Sequence, residues 1–270
     1  MAPRLPILIA GLPKTGTTGL LAAVHAAVGG KTAFEPASYR QVEDSPRTPS
    51  VVKIIYPPHE TRTLAEVMGD YRAFPRRVWI VRDPRDQLVS MYLYTWFKPH
   101  GMPAHRYRTA LGLVRRKQEG ERIPFSRMLI ETFSSPDTYV HERDYHHRRI
   151  MSFFDGDPGG GVHLFRYEDL VGSRFDGLSA YLGVPVSAKS VDDRHRRVVR
   201  TKSSGGWRAW FEPEDEAFFR PLFEPYMRAT GIAQDWETTD ETPDPAHGSR
   251  YMEWLWEGAE GAKPSGAGVG

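Results

Sequence analysis

The stretch Leu5 to Val28, LPILIAGLPKTGTTGLLAAVHAAV, limits what this chain can fold into more than any other. Pro6, Ile7, Leu8, Ile9 and Ala10 form an apolar run that ends at Gly11. Leu20, Leu21, Val24, Ala27 and Val28 then recur three and four residues apart, the period of a helix. A strand, a loop of small residues and a helix, in that order, make an anion trap. Free backbone N–H groups and the positive end of the helix dipole converge where the loop enters the helix. The plainer reading is a strand–helix turn that happens to be rich in small residues. Against it, the eight residues from Gly11 to Thr18 hold Lys14, two Gly and three Thr (Thr15, Thr17, Thr18), which supply a mobile cation and hydroxyl donors suited to phosphate. The loop is not a Walker A motif, which needs Gly-Lys-Ser/Thr at its end. Gly11 and Gly16 have that spacing, but Thr17 stands where the Lys belongs.

Composition narrows the class. At 270 residues the chain allows one large or two small domains, and 40% hydrophobic residues with 12% aromatics are enough for a buried core. The net charge of +2, from 36 basic and 34 acidic side chains, gives no global pull toward a polyanion, so no nucleic-acid partner is expected. There is no cysteine, which excludes disulfides and thiolate metal sites. No apolar run approaches the ~20 residues of a membrane span, and the first one is shorter than a signal-peptide core. A bacterial-type cytoplasmic setting is the expectation.

Further apolar runs follow the first. Thr32–Glu35 reads as a short strand closed by Pro36, Val51–Tyr56 and Arg77–Val81 as buried strands, and Val162–Tyr167 as the fourth full one. Helices are expected over 61–71, from Pro84 to about Phe97 with Asp83 as N-cap, near 105–119, 126–132, 138–154 and 175–182, and over 214–229, where Pro221 or Pro225 would kink the last. This alternation predicts an α/β fold with a mostly parallel sheet flanked by helices, a single domain over 1–234. Residues 235–270 read as a C-terminal extension, with linker at 235–249 and disorder from Gly258. The aromatic segment Tyr251–Trp256 is expected to pack back on the core.

Ligands of open parallel sheets bind at the carboxyl ends of the strands. Arg82 follows the third apolar run and Ser90 stands eight residues on, in VRDPRDQLVS. An Arg fork and a hydroxyl suit a second phosphate, while an ion pair to Asp83 or Asp86 is the simpler use of Arg82. Arg196, Arg197, Arg200 and Lys202 crowd a Gly/Ser loop, which suits a phosphate lid, a solvated basic loop being the plainer reading.

Pro13-Lys14-Thr15-Gly16-Thr17-Thr18 resembles the 5′-phosphosulfate loop of sulfotransferases that use 3′-phosphoadenosine 5′-phosphosulfate (PAPS). Arg82, Pro84 and Ser90 match the family's 3′-phosphate motif, with Asp83 where the family usually has Asn. Arg200 to Arg208 is similar to the family's Arg-Lys-Gly-x-x-Gly-Asp-Trp-Lys loop. Arg200, Gly205, Trp207 and Arg208 align there, Thr201 departs, and Lys202 offers a substitute cation. Arg166-Tyr167-Glu168-Asp169 looks like the family's Tyr-Glu-Asp, whose Tyr contacts adenine. The four motifs stand in the family's order over about Pro6 to Ala229.

The resemblance implies a P-loop-like sulfotransferase fold and transfer of a sulfuryl group from PAPS to a hydroxyl or amine, with release of PAP and no metal. Lys14 and the backbone of the first loop would take up charge on the transferring group, and Thr15 to Thr18 would clamp the 5′-phosphate. Phenol- and steroid-modifying members take the acceptor proton with a His in Lys-Thr-His-Leu-Pro; here Ile55 stands in that place. Carbohydrate-type members often have a Glu after the second strand, so Glu35 is the first choice for general base and His59 the alternative. The acceptor, a small molecule, lipid or glycan, would meet the region 92–150, where Tyr92, Tyr94, Trp96 and Phe97 line a site or fill the core. A P-loop kinase or NTPase and a nucleotide-binding module without turnover are the rival readings.

Overall fold

Four runs of mostly apolar residues become neighbouring strands. The computed structural model describes residues 6–30, 32–34, 51–55, 74–133, 161–191 and 197–259. Strand β1 (Ile7–Gly11) is buried along its whole length, as a strand covered on both faces must be. Helix α1 (Thr17–Val28) follows and ends at Gly29, whose φ of 65° allows the exit. Strands β2 (Thr32–Phe34), β3 (Val51–Ile55), β4 (Arg76–Val81) and β5 (Val162–Arg166) complete a five-stranded, all-parallel sheet in the order β2-β3-β1-β4-β5. β1 is central, and the chain adds strands first on one side of it and then on the other, so the topological switch lies beside β1. Register aligns the strand ends: Gly11 lies opposite Ile55 and Ile80, and Val81 opposite Arg166. The segments that follow β1, β4 and β5 therefore leave the same edge of the sheet.

The described residues belong to two compact units, neither continuous in sequence: 1–82 with 146–195, and 83–145 with 196–270. The first holds the sheet with α1, α5 (Tyr167–Val171) and α6 (Asp176–Leu182). Leu20, Leu21, Val24 and Val28 of α1 pack with Ile7, Ile9 and Val51 of the strands, and Phe165, Phe175 and Leu178 extend this core to α6. At the β5 edge the Tyr181 hydroxyl accepts from the Arg77 N–H at 2.9 Å and lies 2.7 Å from the Gly161 carbonyl, tying two backbone segments.

The second unit is helical, with α2 (Pro84–Tyr94), α3 (Ala104–Gln118), α4 (Phe125–Phe133), α7 (Pro213–Thr230) and α8 (Ser249–Trp256). Its core is a chain of rings: Tyr92 to Phe125 at 5.3 Å, Phe125 to Phe211 at 5.4 Å, Phe211 to Phe219 at 5.0 Å, and Phe219 to Phe223 at 5.5 Å. Asp215 fixes α7 to α4. Its buried carboxylate accepts from the N–H groups of Phe125 (2.7 Å), Ser126 (2.8 Å) and Glu212 (2.8 Å) and from the Ser126 hydroxyl (2.6 Å). Burial still pushes this carboxyl above its ordinary pKa. Nearby, Glu212 takes the buried Lys117 ammonium and the Arg122 guanidinium. α7 runs through both Pro221 and Pro225, which are exposed.

The strands lie on the runs that the sequence marks and the aromatic segment packs back as expected, but 235–249 is not plain linker. The segment expected to be linker contributes the buried Trp236, Ala246 and Ser249. Tyr251, Met252, Trp254 and Leu255 are buried on α8, and the ring of Trp256 stacks on Tyr107 at 4.2 Å. Helices expected over 61–71 and 138–154, and most of the expected disordered tail, lie outside the described residues. No described helix is long and apolar enough to cross a membrane.

Candidate functional site: the loop after the central strand

The first loop is shaped by its own side chains. Thr15 is fully buried, and its hydroxyl donates to the Leu12 carbonyl at 2.7 Å. A Cβ on Gly11 would stand 2.8 Å from both the Ile80 carbonyl oxygen and the Thr15 hydroxyl, so only glycine lets β1 close this turn. Thr15 thus serves the loop's shape, and its hydroxyl is spent inside the loop. Lys14 has a φ of 66°, a left-handed conformation that costs a non-glycine residue about 1 kcal/mol or more. Gly16, at φ 95°, caps α1 without any side-chain hydrogen bond. The backbone N–H groups of the first turn of α1 are therefore left to a ligand or to water. Thr17 is buried at the start of α1, and Thr18 is half-buried.

Arg82 and Tyr167 converge on this loop, as the strand register requires. Arg82 is buried and donates from Nη1 to the Lys14 carbonyl at 3.0 Å. Its guanidinium lies over the Tyr167 ring, 4.1 Å from the centroid, a cation–π contact. Its Nε is buried and has no hydrogen-bond partner among the described residues. The expected alternative, an ion pair from Arg82 to Asp83 or Asp86, is not what either carboxylate does. The Tyr167 ring also covers Gly16, where an added Cβ would come within 2.6 Å of Cδ2. Tyr167 is itself buried.

Lys53 belongs to this group although the sequence did not single it out as a site residue. It sits in the apolar run of β3, is buried, and donates from Nζ to the Thr18 hydroxyl at 3.4 Å. A lysine inside a buried strand is rare enough to be a signal, since burying an ammonium costs several kcal/mol unless a partner offsets it. Lys53, on the Thr18 hydroxyl, and Arg82, on the Lys14 carbonyl, thus bring two cations to the start of α1, beside a loop that itself carries Lys14. Among the described residues no group of three His, Asp or Glu side chains could hold a metal ion.

The helical unit carries the remaining candidates. Asp83 caps α2 through the Arg85 N–H at 2.9 Å and also takes the Arg85 guanidinium in a two-pronged pair, Nε to Oδ1 at 2.9 Å and Nη2 to Oδ2 at 2.7 Å. Burial raises the pKa of this carboxyl, with Arg85 pulling the other way. The guanidinium is enclosed by the rings of Trp207 (3.9 Å) and Trp236 (4.8 Å) and donates to the carbonyls of Ala233 and Asp235. Ser90 is buried on α2. Arg200 is buried and donates from Nη1 to the His247 carbonyl at 3.2 Å; Thr201 is half-buried and Lys202 exposed. Asp86 and Arg85, which organise this loop, were not legible as functional from spacing alone.

Of the aromatic residues proposed to line a site, Tyr92 and Trp96 are fully buried in the core, and the Tyr92 hydroxyl lies 2.9 Å from that of Thr132. Tyr94 and Phe97 are half-buried and stacked, with the Arg197 guanidinium over Phe97 at 5.2 Å. Both candidate bases, Glu35 and His59, lie outside the described residues.

No family model matches the chain, and no curated protein matches it. Among solved structures it is similar to mouse sulfotransferase SULT7A1 complexed with PAP, with 17% sequence identity, a TM-score of 0.50, and coverage of 84% of this chain and 86% of that one. At that identity the likeness is one of fold: an α/β architecture built on a parallel sheet flanked by helices, shared with a sulfotransferase.

Proposed function

We propose that the protein is a PAPS-dependent sulfotransferase that moves a sulfuryl group onto a hydroxyl or amine of a small-molecule, lipid or carbohydrate acceptor and releases PAP. The observation that carries this reading is the joining of Lys14, Arg82 and Tyr167, residues of three separate motifs, around one loop. The buried Arg82 Nε–H, with no partner among the described residues, is the kind of donor an anionic ligand would satisfy. A likeness in fold to a protein complexed with PAP supports the choice of ligand.

In this proposal the 5′-phosphate rests on the N–H groups at the start of α1, with Pro13, Lys14, Gly16, Thr17 and Thr18 around it. Arg82, Ser90, Arg200, Thr201 and Lys202 serve the 3′-phosphate. Tyr167 keeps Arg82 and Gly16 in place beside the nucleotide. PAPS would supply an activated sulfuryl group whose departing phosphate oxygen gathers negative charge. Lys14 and Lys53 stabilise that charge by donating hydrogen bonds toward it, fixed donors being worth most where charge develops. The acceptor proton goes to Glu35, with His59 as the alternative. A cytoplasmic setting belongs to the same proposal.

A second reading, a nucleotide-binding module without turnover, is favoured by one observation: Ile55, which cannot accept a proton, ends β3. Calorimetric titration with PAP and with ATP plus Mg²⁺, followed by acceptor assays, separates the cases. Tight binding of PAP without metal and a sulfated product support the proposal. Preference for Mg-ATP overturns it in favour of a kinase or NTPase, and binding of PAP without product across phenol, lipid and sugar acceptors favours the module.

A further inference from the structure

Asp86 stands in the first turn of α2 and is 1% exposed. Neither carboxylate oxygen meets a cation among the described residues. Oδ2 accepts the Gly205 N–H at 2.6 Å and Oδ1 accepts the Trp207 N–H at 2.9 Å. A buried carboxylate is costly unless its donors stay in place, so carboxylate and turn hold each other. Gly205 takes a φ of 80° at this turn, and Trp207 behind it is closed in by the guanidinium groups of Arg85 and Arg208. The other end of the loop is also tied, through Arg200 to the His247 carbonyl and through the Tyr251 hydroxyl, which donates to the Arg197 carbonyl at 2.6 Å. Between these ties, Lys202, Ser203 and Ser204 are exposed, so the segment forms a polar arch pinned at both feet. Ser90 lies four residues after Asp86 and so on the same face of α2. It is buried, and its hydroxyl makes no hydrogen bond to another described residue.

We infer that Asp86 is a positioning residue for nucleotide recognition: by clasping the backbone of Gly205 and Trp207 it sets the Arg200–Lys202 arch on the face of α2 that carries Ser90, for the 3′-phosphate. This rests on the proposed assignment of those residues to PAP. A purely structural Asp86 would affect all nucleotides alike, whereas a positioning role acts only where a 3′-phosphate is present. The full chain is therefore compared with Asp86→Asn, which keeps the shape and one acceptor oxygen, and with Asp86→Ala. Each is titrated calorimetrically with PAP and with adenosine 5′-monophosphate, which lacks the 3′-phosphate, and amide hydrogen exchange is followed over 200–207. The expected result is a loss of PAP affinity of about tenfold in Asp86→Asn and more in Asp86→Ala, as befits hydrogen bonds to a buried charge. Affinity for adenosine 5′-monophosphate should stay within about twofold, and the Gly205 and Trp207 amides should exchange faster. Unchanged PAP affinity in both variants, or equal losses for the two nucleotides, overturns the role of Asp86 and leaves the functional proposal standing. A wild-type chain that binds neither nucleotide overturns both.

Discussion

At the scale of single residues, the first loop is held by pieces with no spare room. Gly16→Ala would place a methyl group against the Tyr167 ring while forcing an L-residue to φ 95°. The backbone alone costs about 1–2 kcal/mol, and the ring must also shift. We expect a lower urea midpoint and a loss of PAP affinity of more than about tenfold, a larger effect than Thr17→Ser would give in the same titration. Lys14→Ala should abolish transfer, whereas Glu35→Gln should keep PAP affinity and lose rate; unchanged turnover in the second variant removes Glu35 as base. Lys53→Met tests the buried ammonium. Replacing a buried charge by an apolar chain of similar length often leaves stability unchanged or raised. The expected outcome is an unfolding midpoint at or above that of the parent together with weaker PAP binding. A midpoint several degrees lower, with binding intact, would show that Lys53 only supports the strand.

At the scale of elements, buried carboxylates hold helix ends together. Asp215 is the case with most at stake, because Asp215→Ala strips four donors on α4 and α7 of their acceptor. The expected cost is about 3 kcal/mol or more, read from urea denaturation. On β5, His163 stacks on Tyr181 at 4.9 Å, and burial holds its pKa below the usual 6.5. Folding thus favours the neutral ring. This contribution is complete above the ordinary pKa and is lost as pH falls from there toward the folded value. His163→Phe should narrow the gap between melting temperatures at pH 7.5 and pH 5.5. The elements also show what sequence can carry. β1 was legible because a strand buried on both faces must be apolar throughout, β3 and β4 because they are apolar apart from Lys53 and the Arg76–Arg77 entry, and Asp83 before Pro84 announced α2. The roles of Asp86 and Asp215 were not, because an Asp in the first turn of a helix is ordinary. What distinguishes them is a partner 119 residues away in one case and about 90 in the other. Trp236 looked like linker for the same reason: the guanidinium that covers it belongs to Arg85, far back in the chain.

At the scale of the whole molecule, a ligand that binds only the folded chain must stabilise it. PAP at 100 times its dissociation constant should add about 2.7 kcal/mol, seen as a concentration-dependent rise in melting temperature, and adenosine should give little of it. A PAP-independent melting temperature would count against the nucleotide site as a whole. Trp254→Ala, in the buried stripe of α8, should cost about 3–5 kcal/mol, so that the C-terminal helix behaves as part of the fold and not as an appendage. The order of the strands has a consequence for how the chain is made. β5 pairs with β4 but is encoded long after it, with the first half of the helical unit in between. At ribosomal speed the outer edge of β4, with Val78 to Val81 behind it, waits on the order of ten seconds for its neighbour. Bare apolar edges invite pairing between chains. The growing polypeptide is therefore more open to aggregation than the finished protein, and slow translation between the two strands prolongs that exposure.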